Sequence, residues 1–514
     1  MNRSLLISLF SLTTLSAGVA AAAETGGPGL QPEVPWGASP PHQRPRAVAG
    51  ELAFLAAPDP SFGLAAAGVG DLDGDGLADF AVGAPGQDGG VVYVYRGVSN
   101  SVSLWTILRG DCAEGGFGAA IAGGDLDGDG YSDLVIGSPD CGGVYAYRGG
   151  PEGLSAGEKL LVGSPSLGTS LAVGDLDGDG LADLLVGDPG FDADTGRVLR
   201  VLSSGASRLL IRGDEPGERL GDTLAIVPDL DGDGLADVAV GAPDSGPGRV
   251  RVVYDAASGL PSELNDLHTG RRIGDEFGGS FVGLGDVDGD GYGELVVGAR
   301  WAQGGRGSLE LFSGDALGLG EGARSGLSGA EGERMGSWLV SPDEADGGHF
   351  FVSGGGELSG AELRVFRPGG EVQLSAMSHT THSSERAGFG GLVAAAGDLT
   401  GDGYGELLVS RCLIECEGVS VLQLGVDSDA DGVVDSQDCA PFDPSVFPHA
   451  REINGDGVDQ SCDGQDGRDR VAFVSAVTWG GERVAGGCAV VSAAPSGGLL
   501  ALLGLALARR RRTS

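Results

Sequence analysis

A ten-residue phrase, Gly70-Asp71-Leu72-Asp73-Gly74-Asp75-Gly76-Leu77-Ala78-Asp79, returns with small changes from Asp125, Asp175, Asp229, Asp286 and Asp398, and in worn form near Asp343. Successive copies lie 50 to 57 residues apart, the scale of a propeller blade and too long for the common helical repeats. Seven copies imply seven structural units. Glycine (99) and proline (24) would signal disorder if they were aperiodic, but the glycines recur at fixed offsets and 41% of the chain is apolar.

Within a unit the apolar residues have period two in short runs bounded by glycine, as at 91–95, 144–147 and 249–253. These predict strands. A unit opens near a Phe-Gly pair (Phe62-Gly63, Phe117-Gly118, Phe277-Gly278, Phe389-Gly390). It then runs through the acidic turn to a second strand ending in Gly-Ala-Pro or similar, and on to a third and a fourth strand, the latter as at 104–108. A four-stranded antiparallel sheet cannot bury both faces alone, so the units stack around an axis. The seventh unit offers strands at 392–396, 406–410 and 419–424 but no fourth, whereas 47–55 precedes the first Phe-Gly pair where an outer strand belongs. The expected fold is all-β: a seven-bladed β-propeller over 46–425 whose N-terminal strand closes the last blade and removes an open sheet edge.

The acidic turns place oxygen ligands at positions 1, 3, 5 and 9, with glycines at 4 and 6, the pattern of a calcium loop. Four are complete: Asp71/Asp73/Asp75/Asp79, Asp125/Asp127/Asp129/Asp133, Asp175/Asp177/Asp179/Asp183 and Asp229/Asp231/Asp233/Asp237. A fifth ends in glutamate, Asp286/Asp288/Asp290/Glu294. The seventh, Asp398/Thr400/Asp402/Glu406, trades a carboxylate for a hydroxyl, and the sixth, around Asp343 and Asp346, has lost the spacing. Carboxylates about 4 to 5 Å apart repel by several kcal/mol per pair, so such loops need a cation or raised pKa values. Ca2+ suits an all-protein oxygen cage better than Mg2+, and about five to seven ions are expected over the whole chain, linked to ring stability.

Phe-Gly, then Asp-x-Asp-Gly-Asp-Gly-x-x-Asp, then Gly-Ala-Pro resembles the FG-GAP repeat of the integrin α-subunit N-terminal propeller and its bacterial relatives, over about 46–425. The resemblance implies partners bound on the propeller face away from the metal loops. No further sandwich domains follow the ring, so heterodimeric receptor behaviour is not carried over.

A separate acidic module is expected over 426–466. Asp427, Asp429, Asp431, Asp435 and Asp438 hold positions 1, 3, 5, 9 and 12 of a loop with Gly432 at 6, an EF-hand ligand pattern without flanking helices. Its continuation resembles a metal-binding motif of exported bacterial proteins, with Asn454, Asp456, Asp459 and Asp463 as weaker ligands and Cys439 and Cys462 as a staple.

The ends read as addresses. Residues 1–23, with Arg3, an apolar stretch and Ala21-Ala22-Ala23, predict an export signal, followed by a Pro/Gly-rich linker at 24–45. A second linker, 467–487, leads into 488–514, an uncharged apolar stretch closed by Arg509 to Arg512 that is long enough to span a membrane. With Gly486-Gly487-Cys488 ahead of it, this segment resembles the C-terminal sorting signal of myxobacterial surface proteins. The resemblance implies membrane attachment until processing, and display at the cell surface in association with the outer membrane. Seven cysteines leave Cys488 over once Cys112/Cys141, Cys412/Cys416 and Cys439/Cys462 are coupled.

A formal charge of −41, with Lys159 the one lysine, excludes nucleic acid as a partner. The six histidines do not recur with the repeat or take zinc spacing, and no nucleophile with a base beside it can be argued. The expected function is a non-catalytic surface propeller binding a protein or glycan ligand through the metal-free face, with Phe191, Asp192, Arg300 and Trp301 as candidate contacts. The alternative is an exported hydrolase or lyase acting on polysaccharide or phosphodiester substrates. Arg109-Gly110-Asp111 and Arg212-Gly213-Asp214 spell an adhesion tripeptide, but both fall at the same place in the repeat, which explains them without a ligand.

Overall fold

The computed structural model describes residues 46–426, apart from short stretches within them, together with Ala440, Ser445 and Val446. The expected export signal, linkers, acidic module with Asp427, Asp429, Asp431, Asp435 and Asp438, and sorting segment, and the worn sixth loop, lie outside the described residues. Among the described residues no helix is long and apolar enough to cross a membrane.

Seven four-stranded antiparallel sheets make up the ring. Blade one runs Ala65–Gly70, Asp79–Ala84, Val91–Val98 and Ser101–Arg109, in sheet order; blades two to six repeat that order. Blade seven supplies Phe389–Gly397, Glu406–Cys412 and Cys416–Val426, and its outer strand is Arg46–Ala56, paired antiparallel from Arg46↔Val426 to Ala56↔Gly418. The closing strand expected at 47–55 is therefore present, one residue longer at each end. First strands pack on first strands around the circle, and Ala65–Gly70 touches both Ala120–Gly124 and Phe389–Gly397.

The sequences of the strands follow from this stacking. A second strand is covered on both faces by neighbouring blades, so DFAVGA, DLVIGS, DLLVGD, DVAVGA and ELVVGA are buried at every position. The glycine near the end of each of these strands sits against the next blade. A Cβ on Gly83, Gly137, Gly187, Gly241 or Gly298 would lie 2.1 to 2.4 Å from the carbonyl oxygen of Gly118, Gly168, Gly221, Gly278 or Gly336. Those partners are the glycines of the Phe-Gly pairs and their Leu-Gly and Met-Gly variants, held at φ between +79° and +94°, where a side chain is strained. Each motif is thus one side of a joint between consecutive blades. The residue ahead of the glycine (Phe62, Phe117, Leu167, Leu220, Phe277, Met335, Phe389) is buried in all seven blades.

Candidate metal centres and the opposite face

Each acidic turn links the first and second strands of its blade, and the backbone organises it. In blade one, Asp71 accepts the Gly74 N–H on one oxygen (2.7 Å) and the Gly76 N–H on the other (2.9 Å), while Asp79 accepts the Leu72 N–H (3.0 Å). The same three bonds recur around Asp125 and Asp133, Asp175 and Asp183, and Asp229 and Asp237. They recur again around Asp286 and Glu294, and Asp398 and Glu406. One oxygen of the fifth residue (Asp75, Asp129, Asp179, Asp233, Asp290, Asp402) accepts the N–H of the seventh at 2.8 to 3.1 Å.

Oxygen atoms of positions 1, 3 and 9 lie within 4.8 Å of one another in blades one to four: Asp71/Asp73/Asp79, Asp125/Asp127/Asp133, Asp175/Asp177/Asp183 and Asp229/Asp231/Asp237. In blade five the set is Asp286/Asp288/Asp290, with Glu294 fully buried at the strand start.

Burial sets the charge of the ninth residue. It pushes Asp79 and Glu294 up to about 7, and Asp237 and Glu406 up to about 8, against a backbone N–H that favours the anion and with the loop's other aspartates pushing further upward. A carboxylate in this setting takes a proton or a cation. Glu294 Oε1 is enclosed and accepts no hydrogen bond. The side chains of these loops offer carboxylate oxygens, with the Thr400 hydroxyl in blade seven, the set a hard divalent cation takes, so the residues present fit the expected ion.

The third strand adds residues that the loop spacing did not reveal. Strand pairing sets Arg96 opposite Asp79, and its continuation sets Arg148, Tyr254, Ser313 and Gln423 opposite Asp133, Asp237, Glu294 and Glu406. Arg148 reaches Asp133 at 2.6 Å and Asp127 at 3.6 Å. In blade three Arg200, on the same strand, grips both oxygens of Asp183 (2.9 and 2.8 Å) and donates to Asp177 at 2.5 Å. Arg96 pairs with Asp73 at 3.0 Å and stacks on Trp105. The available signal was a basic residue 15 to 17 positions after the ninth ligand.

A model of the FG-GAP-like repeat matches residues 71–136 and 125–186, and one of the FG-GAP repeat matches 220–253 and 278–309. Blades one to five of the ring thus carry FG-GAP repeats. Curated relatives include integrin α chains. Integrin alpha-V of Gallus gallus is 32% identical over 240 residues, 45% of this chain and 19% of that one. Integrin alpha-IIb of Homo sapiens is 35% identical over 247 residues, 46% of this chain and 19% of that one. Integrin alpha-7 of Rattus norvegicus is 38% identical over 231 residues, 43% and 16%. The matched stretch spans less than a fifth of the length of these relatives.

On the opposite face of the FG-GAP propeller lie the turns between second and third strands and the connections between blades. Cys112, in the connection from blade one to blade two, is bonded to Cys141 in a turn of blade two; Cys412 and Cys416 are bonded across a turn of blade seven. The turns of blades three and five share a design. Phe191 lies under Arg197 (3.6 Å) and near Arg212 (5.6 Å), and Trp301 lies under Arg334 (3.9 Å). Asp192, Ala193, Asp194 and Gln303 in these turns all have left-handed backbones. Arg300 pairs with Glu276 at 2.6 Å. Beside the Trp301 turn is a cavity of about 700 Å³ whose wall includes Arg271, Arg272, Asp275, Gln303 and Glu310. The adhesion tripeptides serve internal contacts: Asp111 accepts from the Tyr145 hydroxyl, Asp214 accepts from Arg251 (2.5 Å each), and Arg212 donates to Asp192.

Proposed function

We propose that this chain is an exported, calcium-stabilised FG-GAP propeller, displayed at the cell surface in association with the outer membrane. It binds a protein or glycan ligand on the metal-free face and has no catalytic role. The observation that carries the binding assignment is the pair of turns holding Phe191 and Trp301. Each presents a part-exposed aromatic ring against a guanidinium, in a backbone conformation that non-glycine residues adopt at a cost. Aromatic and arginine side chains are the usual anchors of recognition surfaces. The similarity to integrin α chains supports a ligand-binding role.

Calcium, in this reading, is structural. It is held by the first, third, fifth and ninth residues of the acidic loops and by the acidic module beyond the ring, and it supplies the positive charge that the buried ninth carboxylates need. The C-terminal segment attaches the chain to the membrane until processing. The test is capture of glycans and of proteins from surface extracts by the mature chain, with and without chelator. Trp301→Ala is expected to reduce capture strongly; capture unchanged by substitutions across the whole face overturns the assignment.

A further inference from the structure

We infer that Arg148 and Arg200 are resident cations of the blade two and blade three loops, so that tight calcium binding is concentrated in blades four and five. The inference rests on the calcium reading above and divides its sites into two classes.

The loops are alike in spacing and backbone, and they differ in what the third strand offers them. In blade three the guanidinium of Arg200 is buried and occupies both oxygens of Asp183 and one of Asp177. In blade two Arg148 occupies Asp133 and approaches Asp127. One positive charge thereby offsets half of the charge of positions 3 and 9, with both residues hydrogen-bonded in blade three and Asp133 in blade two, and an incoming divalent ion has to displace these charge-assisted bonds to take those ligands. In blade five the equivalent position is Ser313, whose hydroxyl has no hydrogen-bond partner, opposite Glu294, whose Oε1 has none either. In blade four it is Tyr254, a neutral ring whose hydroxyl accepts the Leu319 N–H at 2.7 Å. Blade one is intermediate, since Arg96 pairs with Asp73.

Calcium titration of the full chain by equilibrium dialysis distinguishes the classes. Asp229→Asn is expected to remove one tight site, whereas Asp175→Asn leaves the number of tight sites unchanged. Arg200→Ala is expected to tighten one site by about tenfold or more, because affinity follows the net charge of the ligand set, and Ser313→Arg to remove one. Loss of a tight site in Asp175→Asn overturns the inference even where Arg200→Ala fails to fold; so does a titration of folded Arg200→Ala that matches the wild type. A wild-type chain that binds no calcium at all overturns the calcium reading itself, and this inference with it.

Discussion

Arg411 donates to the Glu51 carboxylate at 2.6 Å, joining residues 360 positions apart in the chain. Arg411 is buried on the second strand of blade seven and lies 4.4 Å from the Phe54 ring, so the N-terminal strand covers it with both a charge and an aromatic face. Glu51→Ala takes this acceptor from a buried guanidinium and is expected to cost about 2 kcal/mol. Urea denaturation measures the loss, and amide exchange across Arg46–Ala56 should rise with it. Neither quantity moving would show that backbone pairing alone holds the strand.

The joint between blades leaves no room at the second-strand glycines. Gly137→Ala places a methyl 2.1 Å from the Gly168 carbonyl, backbone against backbone, and is expected to cost about 3 kcal/mol. Gly130→Ala, in an acidic turn at φ +88° with nothing within 4 Å, should cost only about 1 kcal/mol from backbone strain. Thermal melts of the two variants give the comparison, and equal costs would remove the steric account of the Gly-Ala-Pro motif.

In chelator, stability should fall as pH rises. Asp79, Asp237, Glu294 and Glu406 have folded-state pKa values pushed up to about 7 or 8 by burial, above the ordinary value of an unfolded carboxyl. Their contribution is therefore fully present below about pH 4 and is lost as pH passes through 7 to 8. Melting in EDTA is expected at a lower temperature at pH 8 than at pH 6; with calcium the difference should shrink or reverse. A chelated protein more stable at pH 8 contradicts the burial of these four groups as anions.

Glu294→Gln should act with opposite sign in the two conditions. At pH 8 in chelator it removes a buried charge, one of whose oxygens has no hydrogen bond, and raises the melting temperature by about 2 °C. In saturating calcium it removes a ligand oxygen of full charge, so one tight site is lost and the melting temperature falls. Shifts of the same sign in both would argue that Glu294 serves packing and not the ion.

The acidic turns, the seven-fold period and the Phe-Gly pairs could be read from sequence because each is local: nine residues fix a turn, and a repeat displays itself. The outer strand of blade seven came from counting, since three strands in one unit and a spare at the other end leave a single economical arrangement. The arginines at the loops did not emerge, because which third-strand residue faces Asp133 or Asp183 depends on a pairing register that loop spacing does not contain. Arg200 shows the point, reaching Asp183 from two residues before the position directly opposite. Likewise, the need for glycine at Gly137 lies in a carbonyl 31 residues away across a blade boundary, and the tripeptide at Arg212 is explained by Asp192 and Arg251, neither adjacent to it in sequence.

Because Arg46–Ala56 is the outer neighbour of Cys416–Val426, a strand made before the first repeat acquires its partner only after the last repeat has been synthesised. Blades one to six can form in turn as each is completed, with contacts of short sequence range, but the circle itself stays open until the two ends meet. A chain released early, or cut anywhere before residue 416, lacks the partner of its own first strand, so completion of the ring doubles as a check that the whole repeat array has been made.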